Sequence, residues 1–260
     1  MICYSYRSVK RINNTIYEIF ETMDEHLWDV TECVMSRWEL EGLSKKLEFL
    51  GRIDSRLVKD FALIASILHD FGKMCKDIQY NCRSSSCEVF PKHYITSASF
   101  ALHLSYEIGI LSPDVIENKL KDLFDRGVET ISEGDAYLVF VVIPILLHNY
   151  ALLRGETSVL GDIGIEIELD KECVCVFKRI VNNFIDKIKT KLGRDILEKL
   201  INLLDSNIVS LSVIPGILYS VLFNLKMSYW KYVSESMIGI LNICDGLVAH
   251  RNRYLRFIGS

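Results

Sequence analysis

The chain contains 260 residues, half of them hydrophobic and a quarter charged. This balance is typical of a globular protein with a sizeable core, so we expect a single domain over residues 1–260. The formal net charge of −4 argues against a protein that coats nucleic acid through bulk positive charge. It does not argue against an enzyme that holds a phosphate backbone locally.

The start of the chain and its apolar stretches predict a soluble, cytoplasmic protein. Residues 1–14 are polar and basic, unlike a secretory signal. The longest apolar stretch, residues 208–223, is interrupted by Pro215 and Gly216 and is shorter than the roughly 20 residues of a membrane span. We interpret it as two buried helical segments that meet at a turn.

The chain has eight cysteines. In a chain of this length they do not predict a disulfide framework, and they lack the paired spacing of a zinc site. Cys82 and Cys87 flank a serine-rich loop and could form a bridge, but cytosolic thiols are usually reduced. We therefore expect the cysteines to act mostly as small buried apolar side chains.

Hydrophobic periodicity predicts a mainly α-helical fold. Residues 9–43 carry apolar side chains at helical spacing, and residues 58–75 form a strongly apolar helix. A polar loop over residues 76–92 follows, and Ser112–Pro113 opens a later helix. Further helices are predicted over residues 93–106, 135–153, 176–190, 194–204 and 227–251.

One segment departs from helical spacing. Apolar residues alternate with other residues from Ile163 to Leu169, and the alternation resumes over residues 173–177 after Asp170–Lys171. Period two on both sides of a turn predicts a small β-hairpin insertion around residues 162–178. Cys173 and Cys175 would share one face of its second strand, where we expect packing rather than metal binding.

The apolar helix over residues 58–75 ends in an adjacent histidine and aspartate, His69 and Asp70. An imidazole nitrogen and a carboxylate oxygen are complementary ligands for divalent ions such as Mg, Mn, Co and Ni. Gly72 is expected to loosen the helix just beyond this pair. Lys73 lies four residues after His69, on the same helix face, where it could pair with a phosphate oxygen of a metal-bound substrate.

The run His69-Asp70-Phe71-Gly72-Lys73 resembles the signature of the HD superfamily of metal-dependent phosphohydrolases, which are helical. The resemblance implies an HD-domain helical bundle with further ligands in a fixed order along the chain. The residues in the corresponding places are His26, His93, His148 and Asp245.

The segment around His93, with a serine and an alanine four and five residues later, is similar to the corresponding segment of CRISPR-associated HD nucleases. The chain most resembles the stand-alone HD nuclease of type I CRISPR interference, an antiviral defence. That resemblance implies a metal-dependent nuclease that hydrolyses phosphodiester bonds of single-stranded DNA. The chain has no phosphate-loop motif and no room for helicase domains, so a separate helicase subunit and effector complex are the implied partners.

Asn149 departs from this subgroup, which has a second consecutive histidine at that place. An amide oxygen is a poorer ligand for a transition metal than imidazole. We therefore hypothesise one firm metal site and a second site, near His93 and His148, that is weak or depends on substrate. The ligands expected for the firm site are His26, His69, Asp70 and Asp245.

The resemblance also implies catalytic and substrate-binding roles. Asp70 would bind metal, while Lys73, His93 and His148 would stabilise the leaving oxygen if only one metal is held. The candidates for contact with substrate are Lys73, Ser97 and Asn149.

Two other functions remain open. The same metal chemistry would serve a phosphohydrolase that acts on nucleotides or cyclic nucleotides. A catalytically degenerate HD domain could instead serve as a docking subunit, a reading supported only by Asn149. The basic residues Arg251, Arg253 and Arg256 are interpreted as a solvated helix end that complements the helix dipole.

Overall fold

The fold is known from a computed structural model, which describes residues 2–12, 15–90, 92–126, 129–148, 165–211 and 228–258. Helices dominate these residues, so the prediction of a mainly α fold is confirmed. The longer helices are α1 (Met23–Ser36), α2 (Trp38–Phe49), α3 (Ser55–Leu68), α4 (Lys76–Ser84) and α5 (His93–Glu107). The later helices are α6 (Ile116–Lys121), α7 (Glu133–Tyr137), α8 (Ile143–Leu147), α9 (Lys171–Ile185), α10 (Lys191–Leu203) and α11 (Tyr229–Ile258).

The prediction of a helix over residues 9–43 is wrong in its first part. Strands β1 (Tyr4–Ile12) and β2 (Thr15–Thr22) form an antiparallel hairpin, and helix begins only at Met23. Strand β2 is rich in β-branched and aromatic residues, which favour a strand. The apolar residues of β2 and those of α1 together fit a helical spacing. The pattern therefore predicts one longer helix, although only its second part is helical.

The prediction of a hairpin around residues 162–178 is half wrong. Ile165–Glu168 is a strand, β3, but it pairs with β4 (Ile208–Leu211), and residues 173–177 lie in helix α9. Asp170 does not turn a hairpin. Its side chain accepts the backbone N–H groups of Glu172 and Cys173 and caps α9. A five-residue window is too short to separate a strand period from a helix period.

Helix α3 is the centre of the hydrophobic core. Eleven of its residues are buried, from Leu57 to Leu68, and they pack against α1, α2 and the helical segment that runs from α7 into α8. Its second half, from Phe61 to Leu68, is buried on every side, which is typical of a helix enclosed by others. It ends at Leu68, so the motif residues that follow emerge from the core into a tight turn.

Disulfide bonds join Cys3 to Cys173, Cys33 to Cys244, and Cys82 to Cys87. The expectation that the cysteines are mainly reduced core residues is therefore wrong for these six. Two of the bridges span 170 and 211 residues of sequence, so no local spacing pattern could reveal them. They tie the first 33 residues to α9 and α11.

Within the described ranges, no helix is both long enough and apolar enough to cross a bilayer. The apolar stretch over residues 208–223 begins as strand β4 rather than as helix, which corrects that part of the prediction. Its remainder, residues 212–223, lies outside the described residues.

Candidate metal centre

The structure brings together six of the residues that the sequence proposes as metal ligands. Three of them lie on helices, and the other three lie in turns that follow two further helices. His26 lies in the first turn of α1, and Asp245 lies on α11. His69 and Asp70 follow α3, His93 begins α5, and His148 follows α8.

The carboxylate of Asp70 lies between two sets of histidines. Its Oδ2 is 3.1 Å from Nε2 of His26 and 3.5 Å from Nε2 of His69. Its Oδ1 is 3.3 Å from Nε2 of His93 and 3.9 Å from Nε2 of His148. One carboxylate therefore offers a separate oxygen to each pair of imidazoles.

Asp245 completes the cluster on the side of His26. Its Oδ1 is 3.2 Å from Nε2 of His26 and 4.0 Å from Nε2 of His69. We call His26, His69, Asp70 and Asp245 the first metal group, and Asp70, His93 and His148 the second metal group. Ligand atoms of His26, His69 and Asp70, and those of the second group, lie close enough together to hold one ion each.

Hydrogen bonds at Nδ1 fix the orientation of every histidine in the cluster. Nδ1 of His69, His93 and His148 donates to the backbone carbonyl three residues earlier, at 2.7, 2.6 and 2.6 Å. Nδ1 of His26 instead donates to the Glu21 carboxylate at 3.0 Å. In each ring Nε2 is left to face Asp70, which is the arrangement that metal-ligating histidines require.

Buried atoms without aligned hydrogen bonds mark the centre of the cluster. His26 Nε2, His69 Nε2 and Asp70 Oδ2 are buried, and none of them makes a well-aligned hydrogen bond. A buried polar atom without a partner is costly and uncommon in proteins. The two imidazole nitrogens, beside a carboxylate oxygen that the Lys73 ammonium approaches to 2.6 Å, fit a divalent ion whose coordination would satisfy both nitrogens.

The electrostatics keep both carboxylates ionised. Burial alone would raise the pKa of Asp70, but the charge of Lys73 and the neighbouring histidines holds that pKa well below its usual range. Burial likewise opposes ionisation of Asp245, and the contact with His26 outweighs it, so its pKa is also lowered. Each carboxylate is therefore available as a charged ligand at neutral pH.

The pKa values of the histidines are shifted in different directions by their surroundings. Burial lowers the pKa of His69 and lowers the pKa of His148 to about 3, so both rings are neutral near pH 7. Burial would lower the pKa of His26 too, but the carboxylates of Asp245, Asp70 and Glu21 raise it well above its usual value. The cluster thus favours a positive charge between Asp70 and Asp245, where a cation would lie.

The sequence predicts Lys73 on the same helix as His69, and this prediction is wrong. Helix α3 ends at Leu68, and Phe71–Met74 forms a short 3-10 turn. Lys73 Nζ lies 2.6 Å from Asp70 Oδ2 and 4.9 Å from the centre of the Phe90 ring. Its side chain is only 8% exposed, so the ammonium adds positive charge inside the cluster.

Gly72 permits a close backbone contact rather than loosening a helix. A Cβ at this position would lie 2.2 Å from the carbonyl oxygen of His93. Ser97 supports the contact, because its hydroxyl accepts the Gly72 N–H at 2.8 Å and donates to the His93 carbonyl at 2.9 Å. Ser97 is fully buried, so the structure gives it a role in holding α5, and contact with substrate stays a prediction.

The sequence reasoning missed Glu21 and the two residues that bind it. Glu21 is fully buried at the end of β2, next to α1, and it also accepts hydrogen bonds from Asn252 and Arg253 of α11. Burial would raise the pKa of Glu21, but His26 and Arg253 lower it overall. A carboxylate in a β-rich stretch five residues before a histidine matches no motif, so no local pattern could reveal it.

The C-terminal arginines are engaged with carboxylates. Arg251 pairs with Asp29, and Arg253 pairs with Glu21, so the interpretation of a purely solvated helix end is wrong for these two. Asn149, the departure from the HD nuclease pattern, lies outside the described residues.

Three side chains of the cluster keep some exposure to solvent. Within the described residues, the side chains of Asp245, His93 and Lys73 are 23%, 9% and 8% exposed, whereas those of His26, His69 and Asp70 are at most 1% exposed. A substrate would therefore reach the ligands past these three residues.

No model of a known protein family matches the chain, and no curated protein matches it.

Proposed function

We propose that this chain is a metal-dependent phosphodiesterase of the HD type that cleaves single-stranded DNA. The observation that carries the proposal is the Asp70 carboxylate, buried between two sets of histidines with one oxygen towards each. The first metal group would hold a divalent ion, with Mg, Mn, Co or Ni as the candidates. The second metal group would bind an ion with lower affinity, since Asp70, which it shares with the first group, is its only carboxylate.

A bound divalent ion would supply Lewis-acid polarisation of a phosphoryl oxygen and a water of lowered pKa. The protein's own residues contribute positioning and charge. The side chains of His93 and Lys73 are partly exposed, so an incoming phosphate would pass them. The Lys73 ammonium can stabilise negative charge on the phosphoryl group, and His93, in place of a second ion, can give a proton to the leaving oxygen.

Single-stranded DNA is the substrate we propose, on the strength of the resemblance to stand-alone HD nucleases of type I CRISPR interference. The burial of His26, His69 and Asp70 favours a single backbone over an intact duplex, because a duplex is too wide to reach ligands below the surface. A separate helicase subunit and an effector complex would supply the single strand. We propose that this takes place in the cytoplasm.

The test is cleavage of labelled DNA by protein stripped with a chelator, with Mg, Mn, Co and Ni added back one at a time. Single strands, duplex, duplex with an internal bubble, and RNA are compared. Single strands and the bubble should be cut only with metal, and Asp70→Asn should reduce cleavage to background. Asp60→Asn is the matched control, because Asp60 is equally buried but accepts hydrogen bonds from Lys189 and Thr190 instead.

A phosphohydrolase acting on nucleotides is the second candidate, and the burial of the ligands is the observation that favours it. Deoxynucleotides and cyclic nucleotides therefore enter the same assay. Metal-dependent hydrolysis of these with no cleavage of DNA would replace the nuclease by this candidate. Metal binding without hydrolysis of any of these substrates would instead favour the docking subunit.

A further inference from the structure

We propose that Glu21 is a positioning residue for His26 and that its carboxylate raises the affinity of the first metal group beyond what the ligands themselves provide. The inference rests on the proposed function only to the extent that the cluster binds metal. It does not depend on which phosphodiester is cleaved. The observations that carry it are the hydrogen bonds at Nδ1 of the histidines and the anchoring of Glu21.

The Glu21 carboxylate is aimed at His26. Strand β2 runs directly into helix α1, and Glu21, the last residue but one of the strand, is fully buried. Its Oε1 accepts the Nδ1–H of His26 at 3.0 Å, so Nε2 of that ring is directed at Asp70 and Asp245. This is the carboxylate–histidine–metal arrangement, in which the outer carboxylate fixes the ring and increases the basicity of the ligating nitrogen.

Among the residues that the structure describes, only His26 has a carboxylate as the acceptor at Nδ1. The Nδ1 partners of His69, His93 and His148 are backbone carbonyls, which are neutral. A charged acceptor strengthens the hydrogen bond and polarises the ring more than a neutral acceptor does. The first metal group contains the carboxylate-backed histidine, and the second metal group does not. The difference adds to the advantage that Asp245 already gives the first metal group, and it predicts that removal of the Glu21 charge weakens that group alone.

Helix α11 holds Glu21 in place. Asn252 donates to Oε1 at 3.0 Å. Arg253 donates to Oε2 from Nε at 3.0 Å, and its Nη2 lies 2.9 Å from the same oxygen. The Arg253 guanidinium also lies 4.2 Å from the centre of the Tyr6 ring, opposite Glu21 in the hairpin. Both carboxylate oxygens are therefore bound, which restricts rotation of the Glu21 side chain.

The same helix carries a ligand and the anchor of the outer carboxylate. Asn252 lies seven residues after Asp245, two helical turns on, and therefore on the same face of α11. Placing α11 against α1 thus positions Asp245 at the metal and Asn252 at Glu21 together. This explains why the first metal group depends on α11, while the second is built by α5 and α8.

The experiment is calorimetric titration of Mn²⁺ into the metal-free protein, which reports the affinity and number of sites without using activity. Glu21→Gln keeps the shape and an acceptor oxygen but removes the charge. Its affinity at the tighter site should fall about 10- to 100-fold, which is the usual effect of losing an outer-sphere partner. The weaker site should keep its affinity. Asp60→Asn is the control, because it perturbs a buried carboxylate elsewhere and should leave both affinities unchanged.

Each outcome decides the inference. Equal affinities in Glu21→Gln and the wild type overturn it, and an equal loss at both sites overturns it too, because that would reflect general destabilisation. Neither result would touch the proposed nuclease. If the wild type binds no Mn²⁺, the proposed function fails and the inference fails with it. Should Glu21→Gln not fold, Asn252→Ala removes one anchor from a partly exposed position, and a selective but smaller loss at the tighter site is then expected.

Discussion

The backbone of Gly72 meets the backbone of His93, and this contact joins the two halves of the cluster. The 3-10 turn after Asp70 lies against the first residue of α5 with no space for a side chain, since a Cβ at residue 72 would be 2.2 Å from the His93 carbonyl oxygen. A side chain at position 72 would have to move His93 away from Asp70. The glycine is therefore required by contact rather than by a special backbone angle.

We expect Gly72→Ala to destabilise the protein and to remove the second metal group. Overpacking in a close-packed interior costs about 1–3 kcal/mol, and the neighbour here is a backbone carbonyl that cannot rotate away. Displacement of His93 lengthens its 3.3 Å contact with Asp70, so fewer Mn²⁺ ions should bind. Urea unfolding measures the first effect, and the stoichiometry of Mn²⁺ binding measures the second.

Gly42→Ala is the matched control for that substitution. Gly42 lies in helix α2 with open space around the position of a Cβ. Alanine should stabilise this helix by up to about 1 kcal/mol through its higher helix propensity and leave metal binding unchanged. Wild-type stability and stoichiometry in Gly72→Ala would show that α5 can shift without consequence, contrary to the close contact described above.

At the scale of whole elements, helices α1 and α11 must keep a fixed register, because one carries His26 and the other carries Asp245. The Cys33–Cys244 disulfide links these helices. Cys33 lies two turns after His26 on α1, and Cys244 immediately precedes Asp245 on α11. The bridge therefore restrains the two helices close to the ligands that they contribute.

Replacing Cys33 and Cys244 by alanine should lower the free energy of unfolding by up to about 5 kcal/mol, because the bridge closes a long loop in the unfolded chain. The Mn²⁺ affinity of the first metal group should fall as well, since Asp245 loses a restraint. Guanidinium unfolding and Mn²⁺ titration under non-reducing conditions measure the two effects.

The double alanine variant of Cys82 and Cys87 is the comparison for this prediction. That bridge spans only five residues, so its removal should cost about 2 kcal/mol by the same loop-entropy argument. It joins neither α1 nor α11, and the first metal group should keep its affinity. Equal losses in the two double variants would contradict the role given to Cys33–Cys244.

The sequence predicted elements well where one period persisted over several turns. Helices α5 and α10 lie close to their predicted bounds, because their apolar residues recur at helical spacing without interruption. The hairpin of β1 and β2 was missed because its apolar residues run in phase with those of α1. Residues 173–177 alone fit a strand period as well as a helix period, whereas the whole of α9 fits only a helix.

The candidate ligands could be proposed from the sequence because a motif orders them, and the structure brings all six together. What surrounds them could not be proposed. Glu21 acts through a contact between a strand end and a helix start, and Asn252 and Arg253 reach it from 231 and 232 residues away. The disulfides depend on long-range packing in the same way. Contacts of this kind carry no local pattern.

At the scale of the whole molecule, the metal centre is assembled from residues spread between His26 and Asp245, so unfolding disperses its ligands. The unfolded chain should therefore bind a divalent ion far more weakly than the folded chain. A ligand that binds only the folded state adds its binding free energy to stability. At a concentration about 100 times its dissociation constant, one ion adds about 2.7 kcal/mol.

Saturating Mn²⁺ should therefore raise the melting temperature by about 5–10 °C for each site filled, and a chelator should reverse the rise. Asp70 belongs to both metal groups, so Asp70→Asn should abolish the whole shift. Asp245 belongs to the first group alone, and Asp245→Asn should leave only the smaller contribution of the second group. Thermal unfolding followed by circular dichroism measures all three proteins. A full shift in Asp70→Asn would mean that the stabilising ion binds elsewhere, because no ion held by this cluster can avoid the carboxylate at its centre.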